Sequence, residues 1–319
     1  SPYWLSYPEM VRLAGGVPVF VKGEDSNGFK LTPDMLEAAI TPKTKMLILC
    51  SPSNPTGSVY TREELKELAD VLAKYPHVYV VADEIYEHIS YAGKHESIAQ
   101  FEEIRERVII INGVSKAYAM TGWRIGYLAA AEWIVKGCNK LQGQYTSGPC
   151  SVSQMASLEA YTGSQEPVEE MRQAFQRRRD LIVKLAKEIP GLEVNVPEGA
   201  FYLWLKSPTA DEKEFIAEAK KHNIALSFHA PYYISLSGVE AEKRLKSIDY
   251  IRDSLNAAAL MGAKTIVVHS GSAAKISREE AMYLASDTIA RTLEAIPDNG
   301  VKIGLETMGK INQLGTLDE

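Results

Sequence analysis

Short apolar runs rich in β-branched residues alternate with longer stretches of helical periodicity along almost the whole chain. The runs "KMLILC" (45–50), "HVYVVAD" (77–83), "RVIIIN" (107–112) and "RIGYLAA" (124–130) predict strands, each ending at a polar residue or a turn. Between the first two lies "TREELKELADVLAKY" (61–75), an amphipathic helix opened by Thr61 and Glu64 at capping-box spacing. Residues 165–188 predict a long helix whose charge suits a connector along the surface and equally a plain solvated helix. "LEVNVPEGAFYLWL" (192–205) reads as a hairpin or a pair of edge strands, and 210–222 as another helix. The same order continues with a strand at 223–229, a helix at 240–262, a strand at 264–269, a helix at 277–295 and a strand at 301–306. Alternation of this kind predicts an α/β protein with a mostly parallel sheet and crossover helices. No repeat, low-complexity tract or linker marks a boundary, and apolar patterning runs on through 223–229. Two segments joined there are therefore expected to share a sheet.

Composition narrows the class. The 319 residues allow two ordinary domains or one large one, and 45% hydrophobic with 24% charged residues is a globular balance. A net charge of −6 argues against an overall nucleic-acid or anionic-membrane footprint. The three cysteines, Cys50, Cys138 and Cys150, form no C-x-x-C pair and no zinc-ligand spacing, so a reduced, cytoplasmic chain is expected. No apolar run approaches the ~20 residues that span a bilayer. The opening "SPYWLSYPEM" has neither a basic nor a uniformly apolar leader, and it starts without Met, which raises the expectation of an absent upstream segment.

Four polar clusters follow predicted strands, where open α/β sheets hold their ligands: "SPSNPTG" (51–57), "ADEIY" (82–86), "GVSK" (113–116) and "TGWR" (121–124). A lysine that condenses with a carbonyl cofactor must sit beside it and shed its proton readily, and Lys116 is the solitary amine of its loop. A pyridine ring acting as an electron sink needs a carboxylate against its nitrogen, a part Asp83 can take. Its phenolic oxygen needs donors, which Asn54 and Tyr86 offer, and its phosphate needs a hydroxyl and a guanidinium, which Ser115 and Arg124 offer. Each functional group of pyridoxal phosphate thus finds a partner.

With "PYWLSYPEM", "SPSNPTG", "ADEIYEH", "GVSKAYAMTGWRIG" and "PEGAFYLW" in this order, residues 1 to about 226 resemble the fold-type I pyridoxal-phosphate-dependent aminotransferases of the aspartate aminotransferase group. The resemblance implies a large cofactor-binding segment over 1–164 and a connector helix with part of a small domain over 165–226. It implies that Lys116 carries the cofactor and shuttles a proton between the substrate α-carbon and C4′. Asp83 then pairs with the ring nitrogen, Asn54 and Tyr86 contact O3′, Ser115 and Arg124 hold the phosphate, and Trp4 stacks on the ring. It further implies amino acid and 2-oxo acid substrates and a homodimer. The family's N-terminal region and the arginine that clamps the substrate carboxylate have no counterpart here, so feeble turnover is expected.

Residues 227–319 resemble a segment of endonuclease IV, a zinc enzyme on a TIM-barrel scaffold, through "HAPYYISLSG", "SIDYIRDSLNAAALMGAKTIVVHSGSA" and "GLETMGKINQLGTLDE". His229, His269 and Glu306 each end a predicted strand, where a β/α barrel gathers its ligands, and two imidazoles with a carboxylate suit zinc. A β/α-barrel-like segment of about three strands is expected. Three strands cannot close an eight-stranded barrel, and acidic residues outnumber basic ones in this tail, so action on DNA is not expected of it. Three readings follow: an aminotransferase or its remnant, a zinc phosphodiesterase, and a chimera of the two in which neither site is complete.

Overall fold

The computed structural model describes residues 1–189, 192–206, 212–273, 275–306 and 313–316. The chain forms two compact units, Ser1–Lys206 and Ser207–Glu319.

In the first unit, α1 (Ser6–Leu13) and α2 (Pro33–Ala39) precede a β/α alternation: β1 (Met46–Cys50), α3 (Arg62–Ala73), β2 (Tyr79–Asp83), the single turn α4 (Glu102–Arg105), β3 (Val108–Gly113) and β4 (Gly126–Ala129). The helices α5 (Glu132–Tyr145), α6 (Ser151–Thr162) and α7 (Glu166–Lys187) follow, and then the two-residue strands β5 (Glu193–Val194) and β6 (Leu205–Lys206). The sheet runs β1-β2-β3-β4, its first three strands parallel. The last, "RIGYLAA" in sequence, is antiparallel, because the chain turns straight back after β3 instead of crossing over. That return is close: a Cβ on Gly113 would lie 2.7 Å from the Ile125 carbonyl oxygen, so only glycine fits there.

Helix α3 is the best-specified element. Thr61 accepts from the Glu64 amide, and the Glu64 carboxylate accepts from the Thr61 amide. Its Leu65, Leu68 and Leu72 are buried with Val80 and Val108 of the sheet and with Val78, Ile98 and Ile104. This core fixes the strand ends: Cys50 lies opposite Asp83, and Asp83 opposite Ile111, at the C-terminal edge. All the polar clusters anticipated as ligands hang from that edge.

The second unit contains α8 (Glu212–Lys221), β7 (Ser227–His229), α9 (Ala241–Met261), β8 (Thr265–His269), α10 (Arg278–Ala295) and β9 (Lys302–Glu306). Its three strands are parallel and ordered β7-β8-β9. Ile251, Leu255 and Ala258 of α9 pack with Ile266 and Val268 of β8 and Ala281 and Ala285 of α10. Among the described residues no barrel closes. The strand predicted from residue 223 begins only at Ser227, because Asn223 takes a left-handed conformation (φ 55°) that ends α8, with the Ile224 amide donating to the Ala219 carbonyl. The expectation of one sheet shared by both segments is corrected: β1–β4 and β7–β9 are separate sheets. Unbroken apolar patterning licenses a strand and not the sheet it joins.

Candidate functional site

Asp83, the last residue of β2, is half-buried and takes two hydrogen bonds, from the Tyr7 hydroxyl at 2.5 Å and from the Ile85 amide at 3.3 Å. Burial raises its pKa, and the Tyr7 bond, the Ile85 amide and the charge of Lys116 each pull it back. Cys50, opposite it on β1, has its thiol pushed up to about 12, first by burial and then by the charge of Asp83. The Lys116 amine follows β3 and lies 5.8 Å from the ring centre of Tyr86 and 5.9 Å from that of Phe201. A cation there is held by two aromatic faces.

Tyr86 is buried, and burial followed by its bond to Tyr202 raises its phenol pKa well above the ordinary value. Its hydroxyl lies 2.6 Å from that of Tyr202, and the Asn54 side-chain amide donates to the same Tyr202 oxygen at 3.2 Å. Asn54, from the loop after β1, and Tyr86, from the loop after β2, therefore converge on one phenolic oxygen. Of the residues anticipated from sequence, Lys116, Asp83, Asn54 and Tyr86 are brought together here.

The remaining three stand at the margin. Trp4 is 41% exposed and meets Tyr7 edge-on at 5.4 Å, so it reaches Asp83 through Tyr7. Ser115 is half-buried beside Lys116. Arg124 is exposed in the same β3–β4 connection, left-handed (φ 56°), and its guanidinium donates to the Thr121 carbonyl at 2.9 Å. Tyr7 and Tyr202 were not anticipated. Both lie in phrases already singled out, "PYWLSYPEM" and "PEGAFYLW", but their partners are 76 and 148 positions away in sequence.

At the C-terminal ends of β7, β8 and β9 stand His229, His269 and Glu306, with His269 in register with Glu306. Their ligand atoms lie within 4.8 Å of one another. The Nε2 atoms of His229 and His269 are 3.2 and 3.0 Å from the same Glu306 oxygen, Oε2. His229 Nδ1 is 2.7 Å from the Ala230 carbonyl, which can only accept, so that nitrogen carries a proton. Two imidazole nitrogens and a carboxylate oxygen brought together in this way form a donor set suited to a metal cation.

The sequence pattern of the family described as aminotransferase class I and II matches residues 1–238. That described as xylose isomerase-like TIM barrel matches residues 163–319. The chain is 52% identical over 219 residues to an aspartate aminotransferase of Geobacillus stearothermophilus, covering 68% of this chain and 55% of that protein. It is 51% identical over 206 residues to an aspartate/prephenate aminotransferase of Cereibacter sphaeroides, covering 64% and 52%. Among solved structures, the aspartate aminotransferase of Thermus thermophilus with maleate superposes with a TM-score of 0.65 at 42% identity, over 69% of this chain and 58% of that one. The chain spans about half the length of the curated relatives it matches.

Proposed function

The chain belongs to the family of class I and II aminotransferases, and from that premise we propose that Ser1–Lys206 binds pyridoxal phosphate and serves amino-group transfer between an amino acid and a 2-oxo acid. The observation that carries this reading is the convergence of Asn54 and Tyr86 on a single phenolic oxygen, that of Tyr202, with Lys116 against the Tyr86 ring. A donor set that already holds a phenol oxygen is chemically suited to the ring oxygen of this cofactor. Asp83 supports the same fit, because a partly buried carboxylate with a raised pKa gains most from a cationic partner such as a protonated ring nitrogen.

When bound, pyridoxal phosphate supplies an electron sink for charge that develops at the substrate α-carbon. Lys116 is the attachment amine, and its Nζ would take a proton from that carbon and deliver it to C4′ of the cofactor. The faces of Tyr86 and Phe201 hold the amine in place while it does so. Tyr7, by donating to Asp83, orients the carboxylate and leaves it an acceptor. Ser115 and Arg124 of the β3–β4 connection would hold the phosphate, and Trp4 would cover the ring. Incubation with pyridoxal phosphate, borohydride reduction and peptide mapping should leave the label on Lys116, and Lys116→Ala should retain none. A protein that takes up no label, or a variant labelled as fully as the parent, overturns this reading.

A second reading concerns Ser207–Glu319, favoured by the two imidazole nitrogens that address one carboxylate oxygen. His229, His269 and Glu306 would hold a divalent cation, with zinc, as in endonuclease IV, the expected ion. Such a cation would supply Lewis acidity and a bound water of lowered pKa. Zinc retained through gel filtration and lost in both His229→Ala and His269→Ala supports this; zinc equally retained in the variants refutes it.

A further inference from the structure

The phenol of Tyr202 does more than mark a position. The segment that delivers it is pinned: the amides of Glu198 and Gly199 donate to the Gly57 carbonyl at 2.9 and 2.8 Å, and the Ala200 amide donates to the Ile89 carbonyl at 2.7 Å. Tyr91 closes the other side, its amide donating to the Glu198 carbonyl at 2.7 Å and its hydroxyl to the Ala200 carbonyl. A Cβ on Gly199 would lie 2.6 Å from the Pro52 side chain, so the two loops meet as closely as backbone allows. Ala200, fully buried, is left-handed (φ 55°), a conformation a non-glycine residue keeps only where its surroundings impose it. The chain is thereby turned so that the Tyr86 ring meets those of Phe201 and Tyr202 at 5.4 and 5.8 Å. With its backbone fixed from Glu198 to Ala200, Tyr202 can leave this place mainly by rotation of its side chain.

The Asn54 amide donates to the Tyr202 oxygen, and the Tyr86 hydroxyl lies 2.6 Å from it. Two phenolic oxygens cannot both stand at the point where these side chains converge. We propose that Tyr202 is an internal occupant of the cofactor berth: its phenol oxygen holds the place that Asn54 and Tyr86 give to the cofactor's ring oxygen, and it swings aside when pyridoxal phosphate enters. This rests on the reading of Ser1–Lys206 as a cofactor site. Binding is then an exchange of one phenol for another, and the affinity observed is reduced by the fraction of molecules in which Tyr202 sits home. Removing the Tyr202 hydroxyl leaves Asn54 and Tyr86 without that partner in the free protein while the bound state is untouched, so the variant should bind the cofactor more tightly.

The test is equilibrium titration of the whole chain with pyridoxal phosphate, followed by tryptophan quenching and visible absorbance, with borohydride fixation at Lys116 mapped in parallel. Tyr202→Phe should bind roughly 2- to 10-fold more tightly than the parent, the range expected for one or two exchanged hydrogen bonds. Tyr202→Leu, which also lacks the oxygen, gives the same readout should the phenylalanine variant fail to fold. Fixation at Lys116 with unchanged or weakened affinity in the variants overturns the internal-occupant proposal and leaves the cofactor site standing. Absence of fixation at Lys116 in parent and variants alike overturns the cofactor site and the proposal with it.

Discussion

At the strand ends of Ser1–Lys206 the buried and half-buried polar side chains answer one another, whereas at those of Ser207–Glu319 two imidazoles press on one oxygen of a third side chain, Glu306. Tyr7 satisfies Asp83, and Tyr202 satisfies both Asn54 and Tyr86. His229 and His269 both address Glu306 Oε2. Burial explains the contrast, because a buried polar group must find a partner within the protein, while an exposed one can wait for water or a solute. On the readings proposed above, a ligand of the first site displaces Tyr202, whereas a cation at the second is simply added.

The sharpest way to break this contrast is to loosen the cores that hold the strand ends. Leu72 of α3 is fully buried against the first sheet, and Ile266 is fully buried in β8, the central strand of the second. Leu72→Ala and Ile266→Ala should each cost about 2–5 kcal/mol, read as a shift in urea midpoint by circular dichroism. The first should also weaken fixation of cofactor at Lys116 and the second zinc retention. An unshifted midpoint would mean that these cores do not set the sites.

Removing a ligand from the open site comes next. His269→Ala should reduce zinc affinity by more than the ~10- to 100-fold that loss of an outer-shell partner costs, measured by competition with a chromophoric chelator. His229→Ala should do the same. An unequal loss would show that Glu306 and one imidazole suffice.

Asp83→Asn probes the buried site, where affinity and stability should move in opposite directions. Affinity for pyridoxal phosphate should fall by roughly 10- to 100-fold, the worth of a hydrogen bond to a charged group. Stability should not fall, because burial raises the Asp83 pKa and the folded protein therefore holds this proton more tightly than the unfolded chain. The contribution is fully present below the ordinary aspartate value and is lost as pH rises through the shifted one. The parent's thermal midpoint should thus carry a downward slope with pH across that window which the variant lacks.

How much of this is legible in sequence depends on how local the determinant is. The Thr61–Glu64 cap, the strand runs and the strand-end positions of His229, His269 and Glu306 follow from spacing over a few residues, and all are found. Helix α5 buries none of its side chains, so its periodicity has no core face to betray it. The antiparallel direction of β4 follows from the chain turning straight back after β3, a return that the close approach of Gly113 and Gly126 permits and that alternation does not encode. Asn54, Asp83, Tyr86 and Lys116 could be named from their chemistry, but the phenols that complete them could not. Tyr202 reaches Asn54 only because Ala200 adopts a left-handed turn imposed by Gly57, Ile89 and Tyr91, contacts that no pattern announces.

The smallest effect compares one helix from each unit. On α3 the cap is reciprocal, and the Glu64 carboxylate that completes it is also gripped by Lys30, whose Nζ is 2.8 Å from both of its oxygens. On α10, Ser277 accepts from the Glu280 amide at 3.1 Å. Either substitution, Thr61→Ala or Ser277→Ala, removes one side-chain acceptor from a first-turn amide, with an expected cost of about 0.5–2 kcal/mol. Thr61→Ala should fall toward the upper end, because Glu64 loses the partner that orients it and its hold on the Thr61 amide weakens with it. Lys30 anchors Glu64 from outside the helix, so part of the box should survive, and Lys30→Ala combined with Thr61→Ala should cost more than the two changes singly. Urea midpoints of the four proteins decide it: strict additivity would mean that the ion pair and the cap act independently, and that the reciprocal cap owes nothing to its tertiary anchor.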